Sequence, residues 1–385
     1  MIDWLLKTKH AQPIGLDIGH NSIKMIQLTN NGNRISIQAA DKVQFDSTIT
    51  DETARREFIV SSIKDMLDYG QFRGRNVVSC LPSDKLKTTS LRLSENEIGS
   101  FEDSLKKEIS QRFDLDADTD IIKYLDAGQV KQGDNIKNEL IVFAADDATI
   151  RDHIDMLEEA QLTPVAIDTI PCALLRSFGR LLNRQEDKER TVVFVDIGSQ
   201  FTTVIFNRND EISFVKQIPI GGRKIDERIA SKLGIEPHEV ELLRGKLRRN
   251  RSSDLEQDDS PQHSVELDSS TRQRIVDGVT VVAEELAKEI SLCLRYYTVT
   301  FRGKRVENAI FAGGEAYENI LLNVLKRQLT VEVNLAEPMR GFDMRNVDLG
   351  NDRRSLLSEW AVAVGLSLRG LRKEKVKEET VMIQS

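Results

Sequence analysis

Two aspartates stand in matching surroundings 179 residues apart, and both could help to bind a polyphosphate. Asp17 and Asp196 each follow an apolar run and begin an Asp-Ile-Gly turn, which we call the first turn (residues 17–22) and the second turn (residues 196–201). Glycine lets the backbone approach a ligand, and successive N–H groups in a tight turn form a nest for anions. A neighbouring carboxylate can hold hydrated Mg²⁺, which takes only one or two carboxylates. The two turns together predict a site for a nucleoside triphosphate with Mg²⁺.

The duplication extends beyond the turns. In each copy a second apolar strand follows, then a polar turn at residues 30–33 or 207–210, and then a β-rich segment at residues 35–37 or 212–215. Such spacing is typical of β-hairpins. A single Asp-x-Gly would more simply be an ordinary strand-ending turn. Two copies with matched strands predict two related lobes that hold one nucleotide between them.

Two glycine pairs follow the second turn. Gly221-Gly222 and Gly313-Gly314 each end a predicted strand and begin a predicted helix. A double glycine there lets the backbone lie against a flat or charged ligand at the helix N-terminus. An ordinary left-handed turn is the alternative for either pair alone.

The composition excludes several classes of protein. The chain has 385 residues, 39% of them hydrophobic, and a formal net charge of −8, which argues against a general nucleic-acid-binding protein. Three scattered cysteines fit a reducing compartment, and five histidines outside any metal motif argue against a zinc site. No apolar run approaches the ~20 residues that cross a bilayer, and residues 1–9 do not resemble a secretory signal. We therefore expect a cytoplasmic protein.

Strands that alternate with helices predict an α/β fold. Residues 248–270, rich in serine and charge, are expected to form a mobile insertion, and residues 1–9 a short helix packed on the body or on a partner. The predicted helices are 55–68, 95–113, 148–160, 172–182, 224–233, 274–297, 317–329 and 360–368, and further strands are 76–81, 87–93, 139–144 and 165–168.

This order of parts resembles the actin-like ATPase superfamily and, within it, the PilM family of type IV pilus assembly proteins, over nearly the whole chain. The resemblance rests on residues 15–19, 22–24, 81–82, 162–168, 219–222, 229–230, 239–241 and 312–314, together with Leu321 onward. It implies an actin-like ATPase fold of two related lobes with duplicated β-hairpin phosphate loops. The resemblance implies that the first lobe has its core and the first phosphate hairpin at residues 1–75, and that an inserted small subdomain at residues 76–166 binds the partner. The chain would then return to the first lobe, with the inter-lobe helix, at residues 167–190. The second lobe, with the second phosphate and adenosine sites, would span residues 191–371, followed by a charged tail at 372–385.

The resemblance also implies a function. It suggests a cytoplasmic scaffold that binds ATP with Mg²⁺ and, through the inserted subdomain, the cytoplasmic N-terminal segment of a PilN-like inner-membrane protein. Such a protein would be peripheral at the inner-membrane assembly platform of a type IV pilus or a type II secretion-like system. It would meet the membrane only through its partner, and self-association stays open.

Site residues are implied by the same resemblance, position by position. Asp17 and Asp196 would be the catalytic residues and would hold Mg²⁺ through water. The phosphate would be bound at the first turn by Gly19, Asn21, Ser22 and Lys24 and at the second turn by Gly198, Ser199 and Thr202. The ribose would be bound by Gly221, Gly222 and Asp226, and the ribose or adenine by Glu241 and Arg244. The base would be bound by Gly313, Gly314 and Glu315.

Hydrolysis is expected to be slow or absent. Several hydrolytic relatives place Glu immediately before the proline that heads the inter-lobe helix, whereas here Ile170 precedes Pro171 and Asp168 is two residues off. Efficient hydrolysis needs an oriented nucleophile as well as a phosphate clamp. His20 would also crowd the first turn, and Arg244 stands where many relatives have Lys.

Three alternatives stay open. A sugar-kinase-like phosphotransferase would need a catalytic Asp in a polar first-lobe pocket, and the sequence offers no persuasive one. A filament-forming ATPase of the FtsA or MreB kind is the second, although the charged tail differs from the amphipathic membrane helix of FtsA. The third is a degenerate member that binds no nucleotide.

Overall fold

The computed structural model describes most of the chain, in two compact units. The first comprises residues 1–191, 205–216 and 336–385, and the second residues 192–204 and 217–335. The predicted N-terminal helix (1–9) and the charged tail (372–385) lie outside the described residues. Those are 11–30, 34–45, 49, 51–93, 101–113, 116, 119–132, 135–182, 190–253, 268–301, 306–345, 347 and 357–370.

The first five-stranded sheet presents the first turn at the end of its central strand. Strand β1 pairs antiparallel with β2, where Asp17 lies opposite Lys24, and parallel with β4. The strand order is β3-β2-β1-β4-β8. The strands are β1 (Ala11–Ile18), β2 (Ser22–Asn30), β3 (Ile35–Gln44), β4 (Asn76–Cys80) and β8 (Thr163–Asp168).

The second five-stranded sheet repeats that arrangement. Its order, β11-β10-β9-β12-β13, again runs third, second, first, fourth and fifth along the chain. Asn209 and Asp210 join β10 to β11 with φ of 55° and 61°, as a type I′ hairpin requires. The predicted duplication is thus confirmed. The strands are β9 (Val192–Ile197), β10 (Thr202–Arg208), β11 (Glu211–Ile218), β12 (Asn308–Ala312) and β13 (Glu332–Leu335).

A small antiparallel sheet with its own helix forms part of residues 76–166. Its strands β5 (Lys87–Leu93), β6 (Ile121–Gln132) and β7 (Asn135–Ala145) are ordered β5-β7-β6. Helix α2 (Phe101–Phe113) closes a core with one face of the sheet; the core includes Leu91, Leu105, Ile109, Leu140 and Val142. The predicted helix over 95–113 is therefore described only from residue 101.

The remaining helices follow the predictions with local differences. The helix predicted over 317–329 begins at Asn319, because Gly314–Tyr317 form a 3₁₀ turn and Glu318 caps the helix at Ile320 N. Helix α6 continues to Ser253, so the first residues of the predicted insertion are helical, and residues 254–267 lie outside the described chain. The helices are α1 (Glu52–Tyr69), α3 (Asp147–Glu159), α4 (Ile170–Gly179), α5 (Gly222–Leu233), α6 (Pro237–Ser253), α7 (Ser269–Thr300), α8 (Asn319–Gln328) and α9 (Ala361–Ser367).

Helices α4 and α9 of the first unit pack backbone against backbone. A Cβ added to Gly365 would lie 2.8 Å from Ala173 Cα, so only glycine permits this approach. Helix α9 is buried along its whole length, as its apolar sequence predicts. None of the helices within the described residues is both long and apolar enough to span a membrane.

Candidate functional site

The first turn gathers the five residues predicted for it. Gly19 N–H donates to Ser22 O over 2.9 Å, which closes the turn next to Asn21. Behind it, Lys24 Nζ lies 3.3 Å from Asp17 Oδ2, and both side chains are buried. Asp17 is thus held by a lysine on the neighbouring strand.

Arg55, which no sequence pattern marked, also holds the first turn. Its guanidinium donates to Gly19 O over 2.9 Å and to His20 O over 3.1 Å, and it lies 3.8 Å above the Phe45 ring. Asp51 caps helix α1 and so places Arg55 in the first turn of that helix. Burial lowers the pKa of this guanidinium. His20 itself is exposed.

The second turn is closed in the same way and held by backbone. Gly198 N–H donates to Phe201 O over 3.0 Å, and Thr202 Oγ1 donates to Ile220 O over 2.6 Å. The first turn of α5 packs directly on it, since a Cβ added to Gly221 would lie 2.6 Å from Gly198 O. Thr202 therefore fixes the strand that leads to the glycine pair.

The other glycines differ in how closely they are packed. A Cβ on Gly313 would lie 2.8 Å from Asp196 Oδ1, and one on Gly222 would lie 2.7 Å from Glu315 Cδ. Gly314, in contrast, has nothing within 4 Å of such a Cβ. The structure thus brings together the predicted residues Asp196, Gly198, Ser199, Gly221, Gly222, Gly313, Gly314 and Glu315.

Arg244 lies in a buried cluster with three carboxylates. Its side chain, 1% exposed, donates from Nη1 to Asp226 Oδ1 over 2.6 Å. Its Nη2 pairs with Glu315, and its Nε lies 3.6 Å from Glu318 Oε2. Glu241, also predicted for the site, is exposed on the same helix, α6. Arg244 therefore ties α5 and α6 to the segment that follows β12.

Among the described contacts, three carboxylates face one guanidinium, and the pKa values of Asp226 and Arg244 reflect this. Burial raises the pKa of Asp226 to about 6, Glu315 and Glu241 add to the rise, and Arg244 opposes it. Burial would lower the pKa of Arg244, but the surrounding carboxylates outweigh it and raise that pKa. Ionised Asp226 is therefore costly to the folded state.

Asp226→Asn should stabilise the protein at pH 8 but not at pH 4. The folded-state pKa of about 6 exceeds the ~3.9 of an unfolded Asp, so the contribution of Asp226 to stability is present below about pH 4 and lost as the pH rises through 6. Asparagine is neutral throughout, and its oxygen can still accept from Arg244. Urea unfolding should show a gain of about 1–3 kcal/mol at pH 8. A gain of equal size at both pH values would contradict this assignment.

Asp168 is the carboxylate nearest to position 170, where several hydrolytic relatives have Glu, and it is paired with two arginines. Its Oδ2 accepts from Arg176 Nη2 and, over 2.9 Å, pairs with Arg369 Nη1, and its side chain is 3% exposed. Arg176 also donates to Gly365 O over 2.9 Å. Asp168 thus fixes α4 against the C-terminal part of the first unit. Within the described residues, no group of three or more His, Cys, Asp and Glu side chains is placed to hold a metal ion.

Comparisons with known proteins agree with this architecture. The family model described as type IV pilus assembly protein PilM matches residues 15–259 and 266–371. The structure titled "PilM-PilN type IV pilus biogenesis complex" is similar with a TM-score of 0.73 at 20% identity, over 94% of this chain and 99% of that one. Ethanolamine utilization protein EutJ from Carboxydothermus hydrogenoformans gives a TM-score of 0.53 at 13% identity, over 92% and 89%. The predicted actin-like fold is confirmed.

Proposed function

The chain belongs to the PilM family of type IV pilus assembly proteins, and we propose that it is an actin-like scaffold of the pilus assembly platform that binds ATP through its first and second turns. One observation carries the nucleotide part of the proposal. Both turns are closed by the same hydrogen bond, from Gly19 to Ser22 and from Gly198 to Phe201, at the same position in duplicated sheets. A duplicated anion nest suits a polyphosphate better than a single small anion.

Magnesium is the cation that these residues suit. Asp17 and Asp196 each offer a carboxylate at a turn, and hydrated Mg²⁺ needs only one or two. The ion would neutralise phosphate charge next to Lys24, which lies 3.3 Å from Asp17. We assign the base to the backbone at Gly314, where a Cβ would meet no described atom within 4 Å.

We propose that turnover is slow or absent. A carboxylate that positions water must be free to accept from it. Asp168, the carboxylate just before α4, instead accepts from two arginines. The bound nucleotide would then act as a conformational ligand rather than a consumed substrate.

The proposed partner is the cytoplasmic N-terminal segment of a PilN-like inner-membrane protein. The structure similar to this chain over 94% of its length is titled as a PilM–PilN complex, which supports a partner of that kind. We assign the contact to the small sheet β5-β7-β6 with α2, which forms part of the predicted subdomain at residues 76–166. Binding there would make the protein peripheral at the inner membrane.

A peptide titration tests this function. A fluorescent peptide with the sequence of the PilN-like segment should bind the full chain, and its affinity should differ at least ~5-fold between Mg-ATP and Mg-ADP, because an allosteric ligand works through such differential affinity. A scrambled peptide is the control. Absence of binding in every state would refute the partner, and equal affinity in both states would refute nucleotide control.

A further inference from the structure

We propose that Arg55 is a positioning residue of the first turn: its side chain does there what the backbone amides of Gly222 and Arg223 do at the second turn. The inference rests on the proposed nucleotide binding, since its consequence is the affinity of the first turn for phosphate.

The two turns are closed by the same backbone hydrogen bond. Gly19 and Gly198 are 179 residues apart, the same separation as Asp17 and Asp196. Each glycine N–H donates to the carbonyl three residues on, over 2.9 Å to Ser22 O and 3.0 Å to Phe201 O. The carbonyl groups of corresponding residues can therefore be compared directly.

At the second turn these carbonyls are held by a helix N-terminus. Gly198 O accepts from Gly222 N–H over 3.1 Å, and Ser199 O accepts from Arg223 N–H over 2.8 Å. The approach requires glycine at position 221, where a Cβ would lie 2.6 Å from both Gly198 O and Ser199 C. The helix that supplies the two amides, α5, follows the third strand of its sheet.

At the first turn a single guanidinium takes the place of the two backbone N–H groups. Gly19 O and His20 O accept from Nη2 and Nη1 of Arg55, which lies near the start of α1, the helix that follows the third strand of the first sheet. The helix meets the turn through this side chain, and Phe45 packs against the guanidinium at 3.8 Å. Phe45 N–H also donates to Asn21 O over 3.0 Å.

This arrangement orients the nest. The C=O of one residue and the N–H of the next belong to one planar peptide and point in opposite directions. Fixing Gly19 O and His20 O on Arg55 therefore directs the N–H groups of His20 and Asn21 to the opposite side of the turn. Charge-assisted hydrogen bonds are about twice as strong as neutral ones, and a cation behind the carbonyls favours an anion in front of the amides.

Nucleotide titrations of three variants test the assignment. Arg55→Gln removes the charge and the fork, and Arg55→Lys keeps the charge with one donor centre. Arg56→Gln is the matched control, because Arg56 lies on the same helix turn but pairs with Asp152, at 2.7 Å, and with Glu159. We expect Arg55→Gln to weaken Mg-ATP and Mg-ADP at least ~10-fold, Arg55→Lys to weaken them less, and neither to change adenosine binding. Arg56→Gln should leave all three affinities unchanged.

The titrations distinguish a role of Arg55 in phosphate binding from a purely structural role. Equal losses for ATP and adenosine, or equal behaviour of Arg55→Gln and Arg56→Gln, would overturn the role of Arg55. Failure of the unaltered, folded protein to bind any nucleotide would instead refute the proposed function on which it rests. Thermal unfolding identifies a variant that has not folded. If Arg55→Gln does not fold, Arg55→Lys becomes the test: its affinity for Mg-ATP must fall relative to its affinity for adenosine.

Discussion

Replacing Arg244 with methionine should lower the free energy of unfolding by about 3–5 kcal/mol at pH 8. The guanidinium is 1% exposed and neutralises part of the charge of Asp226, Glu315 and Glu318. Its loss removes the cation that pairs with these carboxylates, and breaking a buried ion pair by removing one partner is strongly destabilising. Because Asp226 has a pKa of about 6, the loss should shrink as the pH falls to 5.

Arg223→Met is the matched control. Arg223 lies on α5 and pairs with Glu227 at 2.8 Å, but both side chains are at least half exposed, at 58% and 50%. Exposed pairs contribute little, so we expect a change within ~0.5 kcal/mol. Urea unfolding of both variants at pH 8 and pH 5 measures the difference. Similar stabilities for the two variants at pH 8 would contradict the role assigned to Arg244.

Gly313→Ala should destabilise the protein and abolish tight nucleotide binding. Gly313 has φ 91° and ψ 170°, a conformation that costs other residues about 1–3 kcal/mol. Its Cβ would also lie 2.7 Å from Ile197 C and 2.8 Å from Asp196 Oδ1. This overpacking would cost the folded state about 1–3 kcal/mol more, and the atoms that must move belong to the second turn. We expect the free energy of unfolding to fall by roughly 3 kcal/mol or more and the affinity for Mg-ATP to weaken at least ~10-fold.

The neighbouring glycine provides the comparison. Gly314→Ala meets no atom within 4 Å, so the stability of the free protein should stay within ~0.5 kcal/mol of the original. Chemical denaturation without nucleotide and calorimetry with Mg-ATP separate the two variants. If both substitutions were equally harmful to the free protein, the tight approach of Gly313 to the second turn would be wrong.

Much of the fold follows from local patterns in the chain. The Asp-Ile-Gly turns, the Asn209–Asp210 hairpin and the alternation of apolar strands with helices predict the strands of both five-stranded sheets except β13, because each depends on neighbouring residues. The 179-residue repeat then gives the second sheet the order of the first. The glycine pairs also mark positions where the backbone is crowded, with Gly314 as the exception.

The contacts that hold the site could not be predicted in this way. Arg55 reaches the first turn from 36 residues further along, and Arg244 pairs with Glu315 over 71 residues. Arginines on helices are usually solvent-exposed, so spacing alone does not separate Arg55 from the others. Arg244 is predicted for the site only through the family resemblance, and its carboxylate partners are not predicted as a cluster. The predicted start of α8 is two residues early, because Gly314–Tyr317 form a 3₁₀ turn and the Glu318 side chain caps the α-helix at Ile320 N.

Calorimetric titration of the full chain with Mg-ATP measures whether both turns contribute to nucleotide binding. We predict saturable binding at one site, with affinity at least ~10-fold weaker in both Asp17→Asn and Asp196→Asn and unchanged in Asp152→Asn, whose carboxylate is exposed on α3. Loss in both variants would show that the two turns serve one nucleotide. Absence of binding by the folded protein, or binding that neither substitution weakens, would contradict it.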